Sequence, residues 1–389
     1  GGNKTSVIKS KIDDALKHLS EGKKVVVCCD YGISRSNAVA VGILSVQEGI
    51  NIDEAIRHVV SKTGEKSIKI DLLSSVRQTL TKNKKKEKSQ RKNLKKSNIL
   101  ITGASGFIGK SLTPKLKRKY NLIIPTRNKL DLVNDTIELD LTAKKNQVNT
   151  IVHLANPRIY TTNESMGQAL VMLKNVLDVC KENKLFLLYV SGWEVYSGHK
   201  GIKHKVNETF ERLSGGTYGH TKLLCELLIE TYNKQYGIKY TIIRSSPVYG
   251  TESDRPKFIR NFLDKAFNNT EITTHKFING YPVLDLLHID DFITALVSAI
   301  KYKIRGSINI GSGRGITTNY IAHLIVNKLN SKSTIRHVEI NDYASNIIMD
   351  TKYAKNVLKW KPRIDAESGL ERIIRSEILK RKLERQNTL

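Results

Sequence analysis

Residues 98–109 read Asn-Ile-Leu-Ile-Thr-Gly-Ala-Ser-Gly-Phe-Ile-Gly, and few folds accommodate such a run. The apolar stretch predicts a short buried strand, and a helix is expected from Lys110 onward. Between them stands Gly103-x-x-Gly106-x-x-Gly109. Gly103 permits a tight turn, Gly106 lets the backbone approach a pyrophosphate, and Gly109 lets the helix lie close to the sheet. The helix start then offers free N–H groups and a positive dipole to phosphates. Ser105, Phe107 and Ile108 fall inside the same turn and are expected to line it. A dinucleotide site on a strand–turn–helix unit is the first expectation.

The chain beyond this turn extends the unit. Short apolar runs at Ile99–Thr102, Leu122–Pro125, Thr150–Leu154, Phe186–Val190 and Tyr240–Arg244 are separated by helical patterns. Such alternation predicts a doubly wound parallel sheet covered on both faces. The second run ends at Thr126-Arg127. A carboxylate there would hold a ribose 2′-OH, whereas an arginine accommodates a 2′-phosphate, so Arg127 points to NADP rather than NAD.

Further segments then appear in order: Asp140-Leu141, Ile151–Asn156 (IVHLAN, with Leu154 and Ala155), Tyr218-Gly-His-Thr-Lys222, Ile243–Gly250 (IRSSPVYG), His288-Ile-Asp-Asp291, Ile308-Asn-Ile-Gly311 and Trp360-Lys-Pro. With the glycine turn, this series resembles the extended short-chain dehydrogenase/reductases, the NAD-dependent epimerase/dehydratase family. The resemblance covers about residues 95–380. It implies a Rossmann-type sheet with a small C-terminal substrate lobe, a nucleotide-sugar substrate, and a homodimer built on the helix carrying Tyr218. It also implies that Asp140 and Leu141 hold the adenine, that Leu154 and Ala155 flank the cofactor, and that the late segments belong to the substrate lobe. The reaction expected is NAD(P)-dependent epimerisation, dehydration or reduction.

Tyr218 and Lys222 lie four residues apart on a predicted helix and so share a face. A free tyrosine, with a pKa of about 10, is a poor base at neutral pH; a nearby ammonium favours the phenolate. Tyr218 would then exchange a proton with a sugar hydroxyl while hydride moves to or from the nicotinamide, and Lys222 would also hold the ribose. The family adds a Ser or Thr three residues before the Val of a "VYG" segment. Here that segment is Val190-Ser-Gly-Trp-Glu-Val-Tyr-Ser197, and the matching position is Gly192. Ser191 is one residue early, which on a strand end turns its side chain to the other face. Ser191 is therefore a candidate only if the backbone bulges. Glu194 matches a position that carries an acid/base group in some relatives, and it is expected to act as an auxiliary acid/base or to pair with a lysine.

Before this unit, residues 1–80 predict a helix at Ile12–Leu19 closed by Gly22, a strand at Lys24–Cys28, and helices at Ser36–Glu48, Ile52–Val60 and Ile70–Leu80. Cys29-Asp-Tyr-Gly-Ile-Ser-Arg35-Ser36 is similar to the Cys-x5-Arg loop of dual-specificity phosphatases, with Cys28 where that family has His. The resemblance implies a partial, small α/β domain with Cys29 as a thiolate nucleophile. It further implies that Asp30, Tyr31, Gly32, Ile33, Ser34 and Ser36 cradle a phosphorylated ligand and that Arg35 grips it in a bidentate way. A Cys-dependent phosphatase, with the dinucleotide-binding unit as a partner or NADP-sensing module, is the alternative reading.

The chain has 389 residues and a net charge of +28. Nine Lys or Arg residues crowd into Lys82–Lys96, which reads as a solvated linker over 81–96, dividing a 1–80 segment from a 97–380 domain with a basic tail at 381–389. This run leaves nucleic acid open as a partner, but no aromatic residue interleaves with the lysines to stack bases. No apolar run approaches the roughly 20 residues of a membrane span. The N-terminus has no apolar signal core, and Cys28, Cys29, Cys180 and Cys225 lack metal or disulfide-framework spacing. A cytoplasmic protein without a metal is expected.

Overall fold

The computed structural model describes residues 4–66, 68–81, 96–253 and 256–386; most of the basic run lies outside them. The first part consists of four helices, α1 (Thr5–Ser20), α2 (Arg35–Gln47), α3 (Ile52–Thr63) and α4 (Ile70–Thr81). α3 shows why they form where they do. Asn51 accepts the Glu54 N–H, Asp53 and Glu54 sit at the positive end, and Gly64 closes the helix at φ 69°. Ile12, Val41, Ile56, Leu73 and Val76 meet in one buried cluster. α1 and α2 come close because position 42 is glycine; a Cβ there would overlap Ile12 Cδ1. The strand expected at Lys24–Cys28 does not form. Among the described residues no strand pairs with it; Val25 and Val27 pack on the helical cluster and Val26 points outward, 87% exposed. The segment is thus a helical cluster, and the expected small α/β domain is corrected accordingly.

The remainder is a Rossmann-like α/β unit. In chain order it runs β1 (Asn98–Thr102), α5 (Phe107–Lys117), β2 (Asn121–Ile123), α6 (Thr136–Lys145), β3 (Thr150–His153), α7 (Asn163–Asn183), β4 (Phe186–Gly192), α8 (Gly216–Tyr236), β5 (Lys239–Ser245) and β6 (Gly306–Ile310). All six strands pair in parallel, in the order β6-β5-β4-β3-β1-β2. Side chains alternate between two cores. Ile99, Ile101, Val152, Leu188 and Ile243 face a cluster with Leu112, Leu116, Phe292 and Trp360. Leu100, Ile151, Leu187 and Ile242 face Leu173, Leu177 and Ile229 of α7 and α8. Each such side chain contributes about 1.5–3 kcal/mol by leaving water, so the continuous apolar strands are explained by burial on both faces.

Ile308-Asn-Ile-Gly311, expected in the substrate lobe, instead supplies β6 at the edge of the main sheet, where its in-register pairing with β5 buries Ile308 and Ile310. The small lobe gathers the helices Lys257–Phe267, Thr318–Leu329 and Ala366–Gln386 around a parallel strand pair, Ile272–Phe277 with Ile335–Ile340. It overhangs the carboxyl ends of β4 and β5, where open α/β sheets hold their ligands.

Candidate active site

The glycine turn forms the floor of a cleft. Gly103 has φ 72°, and a Cβ on it would stand 2.6 Å from Ala155 N, so β1 and the end of β3 touch through bare backbone. A Cβ on Gly109 would stand 2.5 Å from Ala104 Cα. At Gly106, the cap of α5, the only near atom would be Gly103 O at 3.3 Å. The space beside it belongs to the cleft, and the α5 N-terminus opens toward it. Gly106, Phe107 and Ile108 line a region of about 420 Å³ that reaches Tyr218 and Lys222. Ser105, Arg127, Leu154 and Ala155 line an adjoining region of about 500 Å³. The two adjoining regions together fit a dinucleotide.

Asp140 and Leu141 do not line this cleft. Asp140 is buried in α6, where Arg77 of α4, Lys144 and Asn183 bind its carboxylate at 3.3, 2.6 and 2.7 Å. Leu141 packs with the N-terminal helices. The cleft wall is formed instead by Asp131 and Leu132, in the loop after β2. The Val133 N–H and Asn134 hold the Asp131 carboxylate below its ordinary pKa, with Arg127 adding to the effect. The sequence has an Asp-Leu pair at both places; the signal favouring Asp131 is its nearness to the second strand.

At the other end of the cleft, α8 presents Tyr218 and Lys222. Lys222 is buried, donates to Val190 O at 3.0 Å and Tyr189 OH at 3.3 Å, and its Nζ lies 5.5 Å from the Tyr218 ring centroid. Burial lowers its pKa. Tyr218 meets Tyr160 edge to face at 4.9 Å. Behind Lys222, His153 pairs with Thr102 at 2.8 Å, and burial drives its pKa to about 3, so the ring is neutral. Arg244, from the Ile243–Gly250 segment, is buried against Glu226 of α8 at 2.8 Å and also donates to Tyr196 OH at 2.7 Å. That pair locks β5 to the helix that carries the tyrosine.

Ser191 is buried, lines the same cleft, and its hydroxyl has no hydrogen-bond partner among the described residues. Gly192 ends β4, and a one-turn 3-10 helix, Trp193–Tyr196, follows. Burial pushes the Glu194 carboxyl up to about 7, with Lys222 opposing. No ion pair to Glu194 is found among the described residues, so the expected lysine salt bridge is absent. Trp193, Glu194, Tyr218, Pro247 and Val248 line both the cofactor cleft and a second cleft of about 600 Å³, which runs under the small lobe past Tyr160, Asn261 and His275.

The N-terminal loop stands apart from these clefts. Gly32 adopts φ 65°, and Cys29 Sγ lies 3.4 Å from Ser36 Oγ. Hydrogen bonds from Ser36, side chain and backbone, lower the Cys29 thiol to about 6. Arg35 forms an ion pair with Asp30, and the Ser34 hydroxyl accepts the Lys69 N–H at 2.8 Å. Tyr31 and Ile33 are exposed. Among the described residues no group of His, Cys, Asp and Glu could hold a metal, and no helix is long and apolar enough to cross a membrane.

Comparison with known proteins bears on the second part of the chain. The profile of the NAD dependent epimerase/dehydratase family matches residues 99–311. A putative UDP-glucose 4-epimerase of Methanocaldococcus jannaschii is 30% identical over 71% of this chain and 97% of its own. Among solved structures, dTDP-glucose 4,6-dehydratase of Bacillus anthracis in complex with NAD superposes with a TM-score of 0.65 at 21% identity, covering 74% of this chain and 98% of that one. GDP-mannoheptose C4 reductase of Campylobacter jejuni with NADP bound gives 0.60 at 20%, covering 72% and 98%. The matched residues begin at 99, after the helical cluster and the Cys29 loop.

Proposed function

The chain belongs to the NAD-dependent epimerase/dehydratase family, and from that premise we propose that it is a nicotinamide-dependent enzyme that epimerises, dehydrates or reduces a nucleotide-activated sugar. The observation that carries this reading is the meeting of two clefts at Tyr218. One has the glycine cradle, and the other runs under the small lobe. Tyr218 exchanges a proton with the sugar oxygen, and Lys222 and the Val190 carbonyl fix the helix turn that presents it. Bound nicotinamide supplies the hydride chemistry. Gly103, Ser105, Gly106, Phe107, Ile108 and Gly109 hold the pyrophosphate, while Leu154 and Ala155 flank the adenosine. Arg127, with no carboxylate in Ile124–Thr126 beside it, supports NADP over NAD. Exposed Val171 of α7 and Leu224 and Leu227 of α8 support a homodimer on these helices, which sedimentation tests.

Calorimetric titration of NADP⁺ and NAD⁺ tests the cofactor half. NADP⁺ binds more tightly, Arg127→Asp reverses the preference, and Gly106→Val abolishes binding without unfolding the chain, because the added atoms enter the cleft. Incubation with UDP-glucose, dTDP-glucose and a 4-keto sugar nucleotide, followed by NMR, tests the rest. Product forms, and Tyr218→Phe lowers its rate by about 100-fold or more. Absence of turnover on every sugar nucleotide defeats the reading.

We propose separately that Cys29 is a reactive thiolate and that Asp30–Ser36 binds a phosphate ester, a reading supported by the Ser36 hydroxyl 3.4 Å from Cys29 Sγ, the turn at Gly32 and the lowered thiol pKa. Alkylation by iodoacetamide that titrates near 6 and is blocked by inorganic phosphate is the expected result. Alkylation indifferent to phosphate, with no phosphomonoester hydrolysis lost in Cys29→Ser, rules it out.

A further inference from the structure

The end of β4 holds an unusual exchange of volume. Position 192 has no side chain, and the space a Cβ would take there is filled by the carboxylate of Glu194: the added atom would overlap Glu194 Oε2 and stand 3.3 Å from the carboxyl carbon. The backbone of the same residue is pinned against α8. A Cβ on Gly219, beside Tyr218, would come within 2.8 Å of Glu194 O. Glu194 is therefore wedged between the strand end and the turn that presents Tyr218, with its carboxyl folded back over Gly192. It lines both clefts where they meet. The Ser191 hydroxyl, the nearest alternative, belongs to the preceding residue of the strand.

We propose that the Glu194 carboxyl, seated in the notch left by Gly192, is the second hydrogen-bond donor to the sugar oxygen that Tyr218 protonates, and so a catalytic residue. The proposal rests on the nucleotide-sugar reading and adds a chain-specific donor to it. In the reducing direction, hydride adds to the carbonyl carbon and the carbonyl π pair moves to oxygen. The Tyr218 proton is transferred to that oxygen, while the protonated Glu194 carboxyl donates a hydrogen bond to it and keeps its own proton. Donation requires the neutral acid, and burial raises the carboxyl to about 7, so the acid form is populated at neutral pH and predominates below it. The groups around it are Tyr218 and Lys222 on α8, with His153 of β3 and Glu226 behind Lys222; His153 is neutral, and Glu226 is paired with Arg244. The strand Asn346–Met349, which also contacts the 3-10 turn, brings no titratable side chain.

Two measurements on the full chain test this. Infrared difference spectra are recorded with NADP⁺ alone and with NADP⁺ plus UDP. A carboxylic-acid C=O band that vanishes with a midpoint near 7, is missing in Glu194→Gln, and is displaced in Gly192→Ser is the expected result. A band that never appears, or that survives in Glu194→Gln, overturns the proposal whatever the substrate is. Turnover of whichever sugar nucleotide proves active supplies the second readout. Glu194→Ala lowers kcat by about 100-fold with KM little changed, as for loss of a donor felt mainly in the transition state. Glu194→Gln keeps a non-titrating donor, so it retains activity and loses the pH limb near 7. In the double variant Gly192→Ser/Glu194→Ala a hydroxyl enters the vacated notch and recovers about tenfold of the lost rate. Wild-type kcat in Glu194→Ala overturns the assignment, whereas loss of turnover in Tyr218→Phe with no effect at Glu194 leaves the parent reading intact. If no sugar nucleotide turns over, the parent reading fails and the infrared band still decides the state of the carboxyl.

Discussion

Arg244 and Glu226 form a buried pair between β5 and the helix that carries Tyr218, and the two residues stand or fall together. Removing one partner leaves a charge in a dry interior. Arg244→Met is expected to cost about 3–5 kcal/mol in urea unfolding, and the double variant Arg244→Met/Glu226→Leu to regain most of it. His153 gives a pH dependence of opposite origin. Its folded pKa is about 3, against 6.5 for a free imidazole, so the folded state refuses a proton that the unfolded chain accepts. The stabilisation is full above 6.5 and is lost as pH falls toward 3, by up to about 1.4 kcal/mol per pH unit. Unfolding curves of wild type and His153→Gln across this window should differ by that slope; parallel curves would show that the ring is accessible to protons.

At the level of elements, the joint between β1 and α5 depends on absent side chains. Gly109→Ala places a Cβ 2.5 Å from Ala104 Cα, which is backbone and cannot rotate away. α5 has to lift from the strand, with an expected loss of about 1–3 kcal/mol and weaker cofactor binding, read by thermal melts with and without NADP⁺. Strand, glycine turn and helix were readable because each has a local cause: burial on two faces, a positive φ, and a close approach. The helix pair Tyr218–Lys222 was readable for the same reason. What the sequence hid depended on partners far along the chain. Lys24–Cys28 has a strand's composition but, among the described residues, no strand to pair with. Ile308-Asn-Ile reads equally well as lobe or sheet until β5 is placed beside it. Asp140-Leu141 and Asp131-Leu132 are alike as dipeptides, and partners far along the chain, Arg77 63 residues upstream of Asp140 and Asn183 downstream, mark Asp140 as the structural carboxylate. Glu194 was readable as a candidate acid, while its seat over Gly192 required the backbone path of the turn.

Taken as a whole, the molecule is a family member with a helical cluster seated on it. Ile137 and Leu141 of α6 complete the core of α1–α4, and Arg77 bridges Asp53 and Asp140 across the seam. Arg77→Ala is expected to lower the melting temperature of the full chain, yet to leave NADP⁺ affinity unchanged, since Lys144 and Asn183 still bind Asp140. A melt unaffected by the change would show that the seam contributes little. The seam also has a historical side. One stretch of chain, residues 131–141, lines the cleft beside Arg127 with its first positions and forms the docking face with later ones. Two neighbours therefore vet every substitution in it. In relatives that lack the four helices, the positions matching Ile137 and Leu141 are expected to face water, and drift there to favour polar residues. Arrival or loss of the helical cluster would then be recorded in α6, in a sequence change far from any catalytic group.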